Sequence, residues 1–223
     1  MRWRGWEGAT APCYAVRVIV EAFIDYASPF AYLGSTQIER VAHAHGATVV
    51  FRPFLLGALF KAIGTPVVPI AAFPRAKERY HRLELERWAA RWGVPFVFST
   101  RFPVRTVDAL RLTLLAPEAS RAPLVHAVMR AVWAEDRDPA ERAVLEEACE
   151  NAGVDSALLE RLAEGKPLLF EATDDARRRG VPGAPTFVVH TGSGPELFWG
   201  QDRLELVADA LRGVIAPPLS LDS

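Results

Sequence analysis

Residues 16–54 read VRVIVEAFIDYASPFAYLGSTQIERVAHAHGATVVFRPF, and this stretch decides the fold. Its first ten residues are a β-branched and aromatic run of strand length with few polar interruptions, which predicts a strand buried on both faces and central in its sheet. Ser28 then stands where a helix N-cap belongs. Pro29 follows at the first helical position, where its fixed φ fits and its missing N–H costs nothing. Ile38, Val41, Ala42 and His45 recur at helical spacing, and Gly46 is suited to close the helix. Residues 47–54 (ATVVFRPF) give a second strand. The unit is β-α-β, for which right-handed parallel pairing is expected.

Working outward, the pattern turns helical from about residue 65 to 179. Leu85, Trp88, Ala89 and Trp92 form one stripe, and Leu124, Val125, Val128, Met129 and Val132 another. Both read as core packing. Weaker helical patterns cover residues 107–114, 141–148, 158–162 and 168–176. Turn signals separate them at Gly93-Val94-Pro95, Ala116-Pro117, Asp138-Pro139 and Gly165-Lys166-Pro167. Strand character returns in TFVVH (186–190) and ELFW (196–199), flanking a Gly-rich turn, and predicts an antiparallel hairpin. A last helix is expected from Asp202, with Asp202 and Glu205 spaced as a capping box. The order β-α-β, helical block, β-β-α describes a split α/β fold, one sheet assembled from both ends of the chain.

Composition narrows the function. Of 223 residues, 26 are Lys or Arg and 27 Asp or Glu, a net charge of -1, so there is no electrostatic case for gripping nucleic acid or an anionic membrane. The most apolar region, residues 47–74, is cut by Arg52, Lys61 and four prolines, well short of the roughly 20 apolar residues of a membrane span. The first fifteen residues lack a signal-peptide core and read as a ragged extension. The two cysteines, Cys13 and Cys149, have neither disulfide nor metal spacing, so a reducing, cytoplasmic home is expected.

Three places can carry chemistry. Ser28 lies at a helix N-terminus beyond the carboxyl end of a central strand, where open α/β sheets place their ligands and where a thiolate is stabilised. The alternative is that it only caps. In Gly183-Ala184-Pro185-Thr186 a proline immediately precedes a strand. It is either a strand starter or a cis residue that turns the preceding carbonyl and amide toward a ligand. Trp199-Gly200-Gln201-Asp202-Arg203 is a strand-to-helix junction whose Asp202 either caps the helix or pairs with a ligand's amino group.

The segments FIDYASPFAYLG, ALFKAIGTP, LERWAARWGVPFVF, AVWAEDRD, GVPGAPTFVV and FWGQDRLELVADAL, in this order, resemble the 2-hydroxychromene-2-carboxylate isomerases, relatives of the kappa-class glutathione transferases within the thioredoxin-like superfamily. The resemblance spans about residues 16–213. It implies a thioredoxin-like domain over 16–64 and 180–214, an inserted helical domain over 65–179, and extensions at 1–15 and 215–223. It implies glutathione as cofactor, with Ser28 as the catalytic residue bonded to its sulfur, flanked by Pro29 and Phe30. It also implies a cis Pro185, Ala184 pairing through its backbone with the cysteinyl part, and Gln201 and Asp202 holding the γ-glutamyl end. Lys61 and Thr65, which the resemblance also implies among the cofactor-binding residues, fall in the family's K-x-x-G-N segment, with Thr65 in place of the usual asparagine.

The implied reaction is a glutathione-dependent cis-trans isomerisation of 2-hydroxychromene-2-carboxylate, or a related aromatic catabolic intermediate, to a trans-o-hydroxybenzylidenepyruvate-type product. A conjugating transferase of the kappa type is the alternative. Phe30, Phe60, Tyr80 and Trp88 are candidates to roof the site for a small aromatic substrate, and relatives are usually homodimers. A disulfide oxidoreductase would need Cys-x-x-Cys where this chain has Ser28-Pro29-Phe30-Ala31. A glutathione-binding module without activity is the non-enzymatic reading.

Overall fold

The computed structural model describes residues 18–192 and 194–214. The two extensions, Cys13, the first two residues of the expected strand and Ser193 of the hairpin turn lie outside the described residues. The first strand, β1 (Ile19–Ile24), is buried along all but its first residue, as a central strand should be. Helix α1 (Pro29–Ala44) follows, and β2 (Thr48–Pro53) pairs parallel to β1. At the other end of the chain β3 (Thr186–Thr191) and β4 (Gly194–Trp199) form the hairpin, and β3 docks antiparallel on the free edge of β1. The sheet order is β2-β1-β3-β4, so β1 is an inner strand completed by a strand more than 160 positions away.

Strand alternation divides the side chains between two faces. On one, Phe187 of β3 meets α1 at Gly34, and α8 (Leu204–Leu211) packs beside α1. On the other, Phe23 of β1 lies under the guanidinium of Arg179, just past the end of α7 (Gly165–Arg178). The remaining helices are α2 (Leu56–Ala62), α3 (Arg75–Trp92), α4 (Val107–Leu115), α5 (Glu118–Trp133) and α6 (Arg142–Ala152). The two stripes read from the sequence do pack inward: Leu85 and Ala89 of α3, and Leu124, Val125, Val128, Met129 and Val132 of α5, are buried in one continuous core. Burying such side chains is worth about 1.5–3 kcal/mol each and is what holds the helical block against the sheet.

Three local expectations are corrected. Gly165-Lys166-Pro167 is no turn: α7 begins at Gly165, and Pro167 sits in its first turn, where a missing N–H is tolerated. The weak pattern near residues 158–162 is a 3-10 segment, Ser156–Arg161. The capping box at Asp202 does not form. Gln201–Arg203 is a 3-10 turn, α8 starts at Leu204 with no side-chain cap, and the Asp202 carboxylate pairs with Arg203 at 2.7 Å instead.

Candidate active site

Everything about the first turn of α1 follows from the loop that precedes it. Asp25, at the end of β1, is 1% exposed and accepts three hydrogen bonds: from Ala27 N at 3.0 Å, Leu56 N at 2.8 Å and Thr106 Oγ1 at 2.7 Å. Burial pushes its carboxyl above the ordinary value, and these three donors oppose the shift. One buried carboxyl thus ties the site loop, α2 and the threonine before α4 together. Trp133 Nε1 donates to Tyr26 O at 2.8 Å, and Tyr26 Oη bonds Thr113 Oγ1 at 2.6 Å. The loop is fixed from both the sheet and the helical block.

Ser28 is the N-cap of α1, its Oγ accepting from Ala31 N at 3.1 Å. The same oxygen donates to Ala184 O at 2.8 Å, across 156 positions of sequence. A hydroxyl carries one proton, and in this arrangement Ser28 directs it at Ala184 O; rotation about the Cβ–Oγ bond would turn it toward a ligand. Pro29 has no N–H, Ala31 N is spent on the cap and Tyr32 N bonds Ser28 O, which leaves Phe30 N without a hydrogen-bond partner among the described residues. A free amide at a helix N-terminus, beside a serine hydroxyl, favours an anion.

The Ala184–Pro185 peptide is cis. Thr186 Oγ1 braces the loop by donating to Gly183 O at 2.7 Å, and Gly200 N donates to Pro185 O at 3.0 Å. Gly200 adopts φ +115°, and a Cβ there would lie 2.5 Å from Asp202 Oδ1, so only glycine lets the junction turn back onto the proline. Gly34 completes the closure: a Cβ on it would meet Pro185 Cγ and Phe187 Cζ at 3.1 Å and Gln201 Cβ at 3.5 Å. The geometry therefore gathers Ser28, Pro29, Phe30, Ala184, Pro185 and Gln201 around the first turns of α1. Ala184 N is also free of hydrogen bonds among the described residues, so it stands ready beside Ser28.

A model of the DsbA-like thioredoxin domain matches residues 19–212. The chain belongs to the DsbA-like thioredoxin family. Its relatives include a 2-hydroxychromene-2-carboxylate isomerase of Pseudomonas putida, 29% identical over 197 residues covering 87% of this chain and 94% of that protein. Glutathione S-transferase kappa 1 of Rattus norvegicus is 28% identical over 221 residues, covering 91% and 96%. A solved 2-hydroxychromene-2-carboxylate isomerase superposes with a TM-score of 0.74 at 27% identity, covering 88% of this chain and 95% of its own.

Within this DsbA-like fold no cysteine among the described residues lies in the Ser28 or Ala184 loops. Cys149 is buried in α6, and burial pushes its thiol up, away from the reactive thiolate form. The other expected residues make no hydrogen bond to Ser28 or to the cis-proline loop among the described residues. Lys61 is exposed in the last turn of α2. Thr65, half-buried, donates its N–H to Phe60 O at 2.8 Å, and Asp202 is exposed and paired with Arg203. Of the candidate roof residues, Phe60 is buried, Tyr80 is 54% exposed and Trp88 leans on Trp92. Two neighbours of the site escaped the sequence reading. Asp25 looked like the end of a strand, and His81, whose ring meets Phe30, looked like one more residue of a helix.

No described helix is long and apolar enough to cross a membrane.

Proposed function

We propose that the protein is a glutathione-dependent cis-trans isomerase acting on 2-hydroxychromene-2-carboxylate or a related conjugated aromatic acid. The observation that carries the reading is the Ser28 hydroxyl, set at the N-terminus of α1 and 2.8 Å from the carbonyl that precedes a cis proline, in loops that hold no cysteine among the described residues. The residues present fit glutathione. When bound, glutathione supplies a thiolate that adds to a conjugated substrate and leaves again unchanged.

The chain's own groups have separable tasks. Ser28 Oγ donates a hydrogen bond to the sulfur, keeping its own proton, and with the free Phe30 N–H and the helix dipole holds that sulfur anionic. Ala184 offers its free N–H and its carbonyl to the cysteinyl backbone. Gln201 and Asp202 receive the γ-glutamyl end, for which Asp202 exchanges its partner Arg203 for an ammonium group. Pro29 and Phe30 wall the sulfur, and Lys61, in the last turn of α2, and Thr65, just past it, complete the glutathione contacts. Thr65 has a hydroxyl where an asparagine would offer an amide, which narrows the contacts available to a substrate oxygen. The division into a thioredoxin-like domain (16–64 and 180–214) and an inserted helical domain (65–179), a homodimeric assembly and a cytoplasmic location belong to the same reading.

The test is retention on immobilised glutathione together with turnover of the chromene carboxylate. The expected outcome is retention and strict glutathione dependence; equal turnover with and without glutathione overturns the reading. Similarity to kappa-class transferases along 91% of the chain favours one second reading, conjugation of glutathione to an electrophile. An aryl halide consumed one for one with glutathione, alongside no net isomerisation, would establish it.

A further inference from the structure

The apolar stripe of α3, followed one turn back from Leu85, arrives at His81. This imidazole is partly buried and held by aromatic rings on two sides. Phe73 stacks on it with centroids 4.9 Å apart and planes at 28°, and Phe30 meets it edge-on at 6.1 Å and 78°. Phe73 in turn carries the Lys77 ammonium 3.9 Å above its ring. Phe30 is two residues beyond Ser28, so the array Lys77, Phe73, His81, Phe30 runs directly onto the first turn of α1.

Packing alone does not account for an imidazole here. Stacking of this kind is available to phenylalanine or tyrosine; what histidine adds is a pair of ring nitrogens. His126 and His190 each bond a carboxylate through Nε2, of Glu39 and Glu21, at 2.6 and 2.7 Å. His81 has no hydrogen-bond partner among the described residues, although its ring plane is fixed from two sides. An oriented ring with an unclaimed N–H, between a lysine ammonium and the positive end of a helix, is suited to a carboxylate attached to a flat aromatic system.

We propose that His81 is the specificity-determining residue for the organic substrate, its N–H donating to the carboxylate while the Phe30 ring borders the aromatic part and Phe73 holds the imidazole in place. The proposal deepens the functional reading above and rests on it for the identity of the site. The discriminating variant is His81→Phe, which keeps the stack and removes the nitrogens.

The probe is an unreactive aromatic carboxylate, cinnamate, against its neutral amide, cinnamamide, each titrated calorimetrically into the full-length protein, with glutathione titrated separately. Loss of one charge-assisted hydrogen bond in a half-exposed site should weaken cinnamate about tenfold. Cinnamamide and glutathione should change less than twofold. In turnover of the chromene carboxylate, KM should rise by about the same factor, with kcat nearly unchanged. Equal cinnamate affinity in the two proteins overturns the proposal, as does a parallel loss for cinnamate, amide and glutathione, which would mark a purely structural role. A wild-type protein that separates cinnamate from cinnamamide through His81 but isomerises nothing with glutathione would sink the isomerase reading and leave His81 as a carboxylate site.

Discussion

Replacing Ser28 with alanine tests structure and chemistry at once, because the structure gives this hydroxyl two jobs before any ligand arrives. The bond from Ala31 N at 3.1 Å is a helix N-cap, whose loss costs about 1 kcal/mol. The bond to Ala184 O at 2.8 Å is buried, and removing its donor leaves a carbonyl unpaired, for about 1–3 kcal/mol more. Ser28→Ala should therefore lose about 2–4 kcal/mol in urea unfolding, and its thermal midpoint should fall by roughly ten degrees. A protein with an ordinary stability of about 5–15 kcal/mol remains folded at 25 °C after such a loss. Turnover, measured on that folded protein, should fall a further ten- to hundredfold, the worth of a hydrogen bond to a charged sulfur. A stability change below about 0.5 kcal/mol would refute the bracing role. Activity that falls only in proportion to the unfolded fraction would refute the chemical one.

Two other perturbations probe the frame. Glu21, 5% exposed on β1, is bonded by Arg52 at 2.7 Å, Arg179 at 2.6 and 3.0 Å and His190 at 2.7 Å; burial opposes its ionisation, but Arg179, His190 and Arg52 together hold it down at about 2 against an ordinary 4.5. A depressed carboxyl stabilises the fold above its unfolded value and loses that contribution as pH falls toward its folded one, so the gap between wild type and Glu21→Gln should be about 3 kcal/mol at pH 7 and roughly half that at pH 3 in urea titrations, whereas a pH-independent gap would count against the network. Gly34→Ala sets a methyl 3.1 Å from Pro185 Cγ and Phe187 Cζ, both buried; overpacking of about 1–3 kcal/mol should outweigh the helix propensity of alanine and weaken glutathione binding in calorimetry, and an unchanged affinity would show that α1 does not set the spacing to the cis-proline loop.

The parts of the fold that were legible are those in which neighbours in space are also neighbours in sequence. Ser28 and Pro29 announce the start of α1 because capping is decided within one turn, and the TFVVH and ELFW runs announce a hairpin because a Gly-rich turn joins them. Strand order is different in kind: nothing local to residues 19–24 tells which edge of β1 will receive β3, since that pairing is set by the inner-face side chains of both strands. Asp202 shows a local rule overridden. Its spacing to Glu205 satisfies a capping box, yet the tight return of Gly200 onto Pro185 O inserts a 3-10 turn, and the carboxylate is left outside the helix, beside Arg203.

The same reasoning explains why substrate choice is harder to read than cofactor choice. Ser28 and Gln201 lie where a strand gives way to a helical turn, and Ala184 and Pro185 immediately before a strand, positions the backbone dictates and the sequence marks with serine, proline and glycine. The groups that would meet an organic substrate come from the connection after α2 and the first half of α3, where Phe73, Lys77 and His81 are brought to Phe30 by the path of the chain rather than by a motif. Only the register of one apolar stripe gave a sign: a histidine stands where the step back from Leu85 calls for another apolar residue. A polar side chain at the end of a core-facing stripe, stacked but not hydrogen-bonded, is the mark by which such a position can be recognised before any ligand is known.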